Sequence, residues 1–189
     1  MPKIAVLISG GGSNLQSVID NIKNKDLDCS IEYVIADREC HGIERAENEG
    51  IKTVLLDRKK YKNSLSEKIG EILEENVDYI VLAGFLSILE PEFVKKWDRK
   101  IINIHPSLLP KYGGAGMYGI KIHEAVIKNK EKESGCTVHY VDTGIDTGEI
   151  IIQEKVAVSP DDTPETLQEK VLEKEHIILT KAIKKVFTD

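Results

Sequence analysis

Short apolar runs alternate with amphipathic segments through the first hundred residues of this chain. A short continuous apolar run is typical of a strand covered on both faces, whereas apolar residues spaced three and four apart indicate a helix. Strands that alternate with helices form βαβ units, in which the strands lie parallel and the helices cover both sides of the sheet. The predicted strands are 4–8, 31–36, 51–56, 79–83 and 101–104.

The second half of the chain has a different pattern. Two β-rich runs, 137–141 and 149–153, are joined by a loop with two glycines, which predicts an antiparallel pair at the edge of the sheet. Residues 121–128 have helical spacing, and 162–165 form a start signal for a long helix that ends at about Val186. We therefore expect an α/β fold: a Rossmann-like, mostly parallel sheet with helices on both faces and an antiparallel C-terminal extension.

Charge and composition argue against several classes of protein. The formal net charge of −6 disfavours a general nucleic-acid binder, which needs a basic face to neutralise phosphates. No apolar run approaches the ~20 residues that span a bilayer. Three cysteines without a close pair indicate free thiols in a reducing compartment. The apolar run after Lys3 is too short for a signal peptide, so we expect a cytoplasmic location.

A glycine-rich turn, residues 9–14, separates the first predicted strand from the first predicted helix. Glycines let the backbone approach a ligand closely, and the free N–H groups at the start of a helix favour an anion. The turn lacks the Lys-Ser/Thr ending of a P-loop, and Leu15 stands where the dinucleotide fingerprint has its third glycine. The turn therefore predicts a site for a monophosphate, to which Ser13 and Asn14 can add side-chain hydrogen bonds. The alternative is a tight turn with Ser13 as the helix N-cap.

Asn103 and His105 end the fifth predicted strand, and alternation along the strand places them on the same face. Ligands of open α/β sheets bind beyond the carboxyl ends of the strands. An amide donor and an imidazole at that position can receive charge that develops on a carbonyl oxygen. If the loop that carries Asp142 and Asp146 folds over His105, a carboxylate can hold the imidazole protonated. For His105 in isolation, a hydrogen-bonded histidine at a strand end is the alternative.

Zinc binding is a competing use for four residues, Cys136, His139, His105 and Asp146. Cys136 and His139 are three apart, a spacing that some zinc sites use. On a strand, however, they face opposite sides. Since no second close-spaced pair completes a ligand set, no metal site is predicted.

Together these motifs resemble the phosphoribosylglycinamide formyltransferase family. The segment around His105 is shared with other folate-dependent formyltransferases and with formyltetrahydrofolate hydrolases, whereas the glycine-rich turn selects the glycinamide enzyme. The resemblance spans nearly the whole chain. The residues that carry it are 6–16, 81–85, 102–111, 136–141, 146–148 and 175–176.

The resemblance implies transfer of a formyl group from 10-formyltetrahydrofolate, as co-substrate, to the amine of glycinamide ribonucleotide in purine synthesis. It implies a single domain, 1–189, with a phosphate-binding half, 1–104, and a half, 105–189, that holds the folate-side loops, the edge strands and the C-terminal helix. The implied catalytic residues are Asn103, His105 and Asp146. The implied ribonucleotide-binding residues are Gly12, Ser13, Asn14, Pro106 and Glu175. The implied folate-binding residues are Leu86, Ser87, Ile88, Leu89, Asp142, Thr143, Gly144 and Ile145.

The chain departs from the family pattern in three places. Many members have an arginine where Ser87 stands, and many have another in the region of 60–65, where this chain has none. The segment 112–118 replaces the usual proline-glycine-leucine-histidine stretch. The basic run 58–62 is by default a solvated face, although it could attract an acidic ligand.

Two other functions remain open at the level of sequence. A formyltetrahydrofolate hydrolase is the nearest alternative, but water needs no phosphate anchor, so the glycine-rich turn argues against it. A non-catalytic nucleotide-binding module explains the turn and leaves Asn103, His105 and Asp146 without a role. The expected partners are small-molecule substrates, with neither nucleic acid nor membrane, and the expected state is a monomer or a homodimer.

Overall fold

A single sheet organises the computed structural model, which describes residues 1–74 and 76–188. Within these residues seven strands lie in the order β3-β2-β1-β4-β5-β6-β7. The first five strands run parallel, whereas β6 is antiparallel to both β5 and β7. The strands are β1 Lys3–Ile8, β2 Ser30–Ala36, β3 Thr53–Leu55, β4 Tyr79–Leu82, β5 Ile101–His105, β6 Glu133–Tyr140 and β7 Ile150–Ala157.

Helices cover both faces of this sheet, which confirms the predicted α/β fold. On one face α1, α6 and α7 pack together, and on the other α4 and α5 share a second apolar cluster with Leu7, Ile35 and Ile80. The helices are α1 Ser13–Lys23, α2 His41–Asn48, α3 Arg58–Tyr61, α4 Leu65–Leu73, α5 Pro91–Lys96, α6 Ile120–Lys128 and α7 Pro164–Val186, with a 3₁₀ turn at Lys62–Ser64.

The central strand β1 shows why the apolar runs form strands here. Residues 4–8 are all fully buried, because β1 lies between β2 and β4 and is covered by helices on both faces. A buried strand must place every backbone N–H and C=O in a ladder, and two parallel neighbours supply those partners. The continuous apolar pattern therefore identifies the middle of the sheet.

The predicted bounds were wrong mainly in the antiparallel extension. β6 begins at Glu133 and β7 continues to Ala157, so both strands are longer than expected. Gly135 lies inside β6, where a Cβ would run into the carbonyl oxygen of Glu154. This glycine therefore permits close pairing of the two strands, although in the sequence it suggests a break. At the opposite edge, β3 is shorter than predicted and spans only Thr53–Leu55.

Among the described residues, no helix combines the length and the apolar character that crossing a bilayer requires.

Candidate active site

A cavity of about 600 Å³ opens at the carboxyl ends of β1, β4 and β5. These strands are neighbours in the sheet, so the segments that follow them meet at one edge. Every residue predicted for the site lines this cavity except Thr143. Thr143 is exposed in a turn in which Asp142 accepts hydrogen bonds from the Gly144 N–H and the Thr147 hydroxyl.

The glycine-rich turn lies open at one end of the cavity. Gly12 has φ 74° and precedes α1, so the alternative with Ser13 as N-cap is wrong: Ser13 is the first helical residue. Gly12 packs so closely on α2 that a Cβ would lie 2.7 Å from Gly42 Cα. Arg45 of α2 holds the turn from outside, since its Nε donates to the Gly11 carbonyl at 2.7 Å. The start of α1 thus offers backbone N–H groups to an anion.

Asn14 and Glu175 form a buried polar pair on the cavity wall. The Asn14 Nδ2 donates to Glu175 Oε2 at 2.6 Å, and both residues are buried. Burial raises the pKa of Glu175, although the hydrogen bond from Asn14 partly opposes this effect. Among the described residues the Asn14 Oδ1 has no partner. The pair therefore offers hydrogen bonds to a polar ligand beside the glycine-rich turn.

Asp146 is the point at which the predicted catalytic residues meet. Its Oδ2 lies 3.6 Å from His105 Nδ1, and its Oδ1 lies 3.5 Å from Asn103 Nδ2. The Gly114 N–H donates to Oδ2 at 3.0 Å. Burial raises the pKa of Asp146, but the neighbouring rings of His139 and His105 and the hydrogen bond from the Gly114 N–H outweigh it and lower the pKa. The carboxylate is therefore ionised beside the imidazole.

The ring of His105 has a defined tautomer. Its Nε2 lies 2.9 Å from the Tyr112 carbonyl, and because a carbonyl only accepts, Nε2 carries the proton. The Nδ1 lone pair of the neutral ring then faces Asp146. Burial lowers the pKa of His105 and outweighs the opposite effect of Asp146. Asp146 therefore does not bring the pKa of the imidazole up to its ordinary value, because desolvation of the charged ring dominates.

His139 belongs to this cluster, although the sequence suggested only a zinc ligand. Its Nδ1 donates to the Tyr140 carbonyl at 2.8 Å, so Nε2 is free to accept from Asn103 Nδ2 at 3.2 Å. The contact arises because Asn103 and His139 are paired across β5 and β6. The sequence shows two β-rich segments here but not their register, so only the pairing reveals this contact.

The far wall of the cavity carries exposed apolar side chains. Leu86, Ile88 and Ile145 are 42%, 70% and 37% exposed and all line the cavity. Large apolar groups that stay exposed around a concave surface commonly mark a ligand site. These residues belong to the segments for which the family resemblance implies folate binding. The Ser87 hydroxyl between them donates to Asp37 at 2.5 Å.

Of the four residues considered for zinc, His105, His139 and Asp146 lie together in the polar cluster, whereas Cys136 does not join them. Cys136 is fully buried in the apolar core, where burial raises the pKa of its thiol. Among the described residues no group of three or more His, Cys, Asp or Glu side chains is arranged so that it could hold a metal ion. His123 of α6 lines the cavity instead, and burial lowers its pKa to about 4.

Comparison with known proteins defines the class to which this fold and site belong. Residues 2–183 match the model of the formyl transferase family, described as "Formyl transferase". The chain therefore belongs to the formyl transferase family. Within it the relatives are phosphoribosylglycinamide formyltransferases, as the resemblance predicted. The Haemophilus influenzae enzyme of that name is 40% identical over 97% of this chain and 86% of its own length.

Solved structures and longer relatives agree with this class. The crystal structure of phosphoribosylglycinamide formyltransferase from Bacillus halodurans has a TM-score of 0.91 and 34% identity, and the match covers 99% of this chain and 96% of that one. The trifunctional purine biosynthetic protein adenosine-3 of Chironomus tentans is 42% identical over 97% of this chain. This chain spans only 14% of the length of that protein.

Proposed function

We propose that this chain transfers the formyl group of 10-formyltetrahydrofolate to the amine of glycinamide ribonucleotide, a step of purine synthesis. The observation that carries the proposal is the meeting of Asn103, His105 and Asp146 in a cavity that also contains the open start of α1. One end of the cavity suits a phosphate, and the polar cluster suits transfer to an amine. The names of the relatives support the same reaction.

The ribonucleotide would bind along the side of α1. Its phosphate would accept from backbone N–H groups at Gly12, Ser13 and Asn14, where the helix dipole favours an anion. Glu175 would face the ribose, beside Asn14. Pro106 follows His105 directly and lines the cavity, so it would contact the glycinamide arm.

The formyl donor would occupy the other wall. Leu86, Ile88 and Leu89 offer apolar surface to its ring system, and the loop 142–145 with Ser87 offers polar groups. A volume of about 600 Å³ lies within the range of small-molecule sites, 300–1,000 Å³. In this arrangement the formyl carbon reaches the polar cluster at the end of β5.

The chemistry follows from the tautomers of the cluster. The amine nitrogen attacks the formyl carbon. The Asn103 N–H that lies 3.5 Å from Asp146 Oδ1 turns to the oxygen and donates to it as it becomes negative, while the other N–H stays on His139. His105 Nδ1 takes the proton that the amine loses, and Asp146 stabilises the imidazolium from 3.6 Å. The bond between carbon and the folate nitrogen then breaks, and that nitrogen receives the proton. No covalent enzyme intermediate is needed, so Cys136 and Ser107 are not nucleophiles.

A formyltetrahydrofolate hydrolase is the second candidate, since water can replace the amine in the same cluster. The open glycine-rich turn favours transfer, because water has no phosphate to bind. One assay separates the candidates: 10-formyltetrahydrofolate is incubated with and without glycinamide ribonucleotide, and folate release is measured. Amine-dependent release supports transfer, amine-independent release supports hydrolysis, and no release in either case supports a non-catalytic binding module.

We also propose that residues 1–189 act as one domain, with the phosphate site in 1–104 and the folate-side loops in 105–189. The sheet is continuous across both parts. The free thiols Cys29, Cys40 and Cys136 are consistent with a reducing compartment, which for this enzyme would be the cytoplasm.

A further inference from the structure

A buried ion pair lies at the carboxyl end of β2, outside the polar cluster. The carboxylate of Asp37 is fully buried and accepts from Arg38 Nε and Nη2, each at 2.9 Å. Ser87 donates to the same carboxylate. Burial raises the pKa of Asp37, but the hydrogen bonds from Arg38, Ser87 and Ser9 outweigh it and lower the pKa. The carboxylate therefore stays charged and holds the guanidinium in one orientation.

The outer part of this guanidinium is available to a ligand. Asp37 uses Nε and Nη2, and the remaining N–H groups of Arg38 have no acceptor within 1–74 and 76–188. The Arg38 side chain is 29% exposed, and the carboxylate to which it is bonded also accepts from Ser87, which lines the cavity. A preorganised guanidinium with free donors matches a carboxylate or a phosphate better than a mobile lysine does.

Other cations surround the same part of the rim. Lys121 Nζ donates to the Tyr118 hydroxyl at 3.1 Å, and Tyr118 lines the cavity. The pKa of that phenol is lowered, first by Lys121 and then by the charges of Arg58 and Arg38. The Arg58 backbone N–H also donates to the Asp37 carbonyl, which places α3 beside the ion pair. A chain with a net charge of −6 thus concentrates positive charge at one edge of its cavity.

We propose that Arg38 binds the carboxylates of the glutamate tail of the formyl donor, with Asp37 as its positioning residue. The inference rests on the proposed function and deepens it. The two substrates carry their negative charge on different groups. The phosphate of the ribonucleotide is the group proposed to bind at the start of α1, whereas the carboxylates of the folate belong to its glutamate tail. Arg38 and Ser87 bind the same carboxylate of Asp37, and Ser87 belongs to the wall proposed for the folate and brings no charge of its own.

The first test uses the unmodified protein. The KM for 10-formyltetrahydrofolate is compared with the KM for the methylamide of 10-formyltetrahydropteroate, which lacks the glutamate and carries no carboxylate. A charge-assisted hydrogen bond to a carboxylate corresponds to roughly a tenfold change or more in affinity, so the KM is expected to rise about tenfold without the tail. The KM for glycinamide ribonucleotide is expected to stay the same. Equal KM values for both formyl donors would overturn the inference.

The second test removes the guanidinium. Arg38→Gln is expected to raise the KM for the tailed donor by about tenfold. The KM for the tailless donor is expected to stay unchanged, because that donor has no glutamate carboxylate for Arg38 to bind. Lys155→Gln, an equal charge change at the far end of β7, is the matched control and is expected to change neither KM. An Arg38→Gln variant with a raised KM for the ribonucleotide instead would identify phosphate as the anion and reject the tail.

Arg38→Gln leaves Asp37 buried without its cation, which can destabilise the fold. Arg38→Lys keeps a positive charge beside Asp37 and lacks the planar fork, so it is expected to fold and still to raise the KM for the tailed donor. A KM for the tailed donor equal to that of the unmodified protein would count against Arg38. Absence of amine-dependent turnover in the unmodified protein would refute the proposed function itself, so the two failures are distinguishable.

Discussion

The imidazole Nδ1 of His105 lies 3.6 Å from the carboxylate of Asp146, at a site where both side chains are largely buried. The neutral ring presents a lone pair to an anion, an arrangement that becomes favourable when Nδ1 gains a proton. Burial opposes that proton, since it lowers the pKa of His105. The pair is therefore suited to accept a proton during the reaction rather than to hold one beforehand.

Loss of either uncharged polar group in the cluster is expected to slow turnover without unfolding the chain. Asn103→Ala removes the proposed donor to the developing oxyanion, which commonly costs about 10²–10³ in rate. His105→Ala removes the proton acceptor and is expected to cost about 10²–10⁴. Asn48→Ala and His41→Ala remove an amide and an imidazole from exposed positions and serve as controls. Steady-state kcat measures the effect, and near-normal kcat in both cluster variants would falsify these roles.

Asp146→Asn is expected to lower kcat by about 10²–10⁴ and to move the acid limb of the pH profile. The neutral ring of His105 is the active form, so kcat/KM falls as pH drops through its pKa, which burial holds below the ordinary value. Asp146 raises that pKa, so its removal lowers the pKa further and shifts the limb to lower pH. The profile of kcat/KM against pH measures the shift. If the acid limb of the kcat/KM profile stays at the same pH or moves to higher pH, the pairing of Asp146 with His105 is contradicted.

The buried ring of His123 is expected to make the fold less stable in mild acid. Burial lowers its pKa to about 4, from an ordinary value near 6.5. Between these values the unfolded chain binds a proton that the folded chain does not, so stability is lost as pH falls through this window. The loss amounts to roughly 2–3 kcal/mol by pH 4. Urea unfolding of the unmodified chain and of His123→Asn at pH 7 and pH 4.5 measures this loss of stability. If the free energy of unfolding depends on pH equally in both proteins, His123 is not its source.

Gly12→Ala is expected to destabilise the glycine-rich turn and to weaken ribonucleotide binding. The position has φ 74°, and a Cβ would lie 2.7 Å from Gly42 Cα, so backbone must move. Such strain costs on the order of 1–3 kcal/mol. Gly10→Ala is the control for thermal stability, since nothing lies within 4 Å of its added Cβ. A melting temperature and a KM for the ribonucleotide as in the unmodified chain would show that the turn adapts without strain.

Much of the fold could be predicted because it depends on local pattern. Fully buried strands such as β1 need continuous apolar runs, and the amphipathic stripe from Leu15 marks α1. The antiparallel extension was harder to predict, because β6 contains Gly135 and begins with a charged residue. There the backbone pairing of two edge strands, rather than apolar periodicity, decides where each strand begins and ends.

The sequence by itself determined the α/β class, a glycine-rich turn before the first helix, and the polar residues Asn103 and His105 at one strand end. Alternation and strand-end placement are properties of neighbouring residues. Only the structure showed that the turn opens into the cavity. Only the tertiary structure decided that Asp146 meets them and that His139 joins them through the β5–β6 register. It also decided that burial lowers the pKa of His105. The physical reason is that strand register and burial depend on contacts between distant segments. A pKa depends on distances between charged groups and on the local dielectric environment, and both arise only after those segments pack.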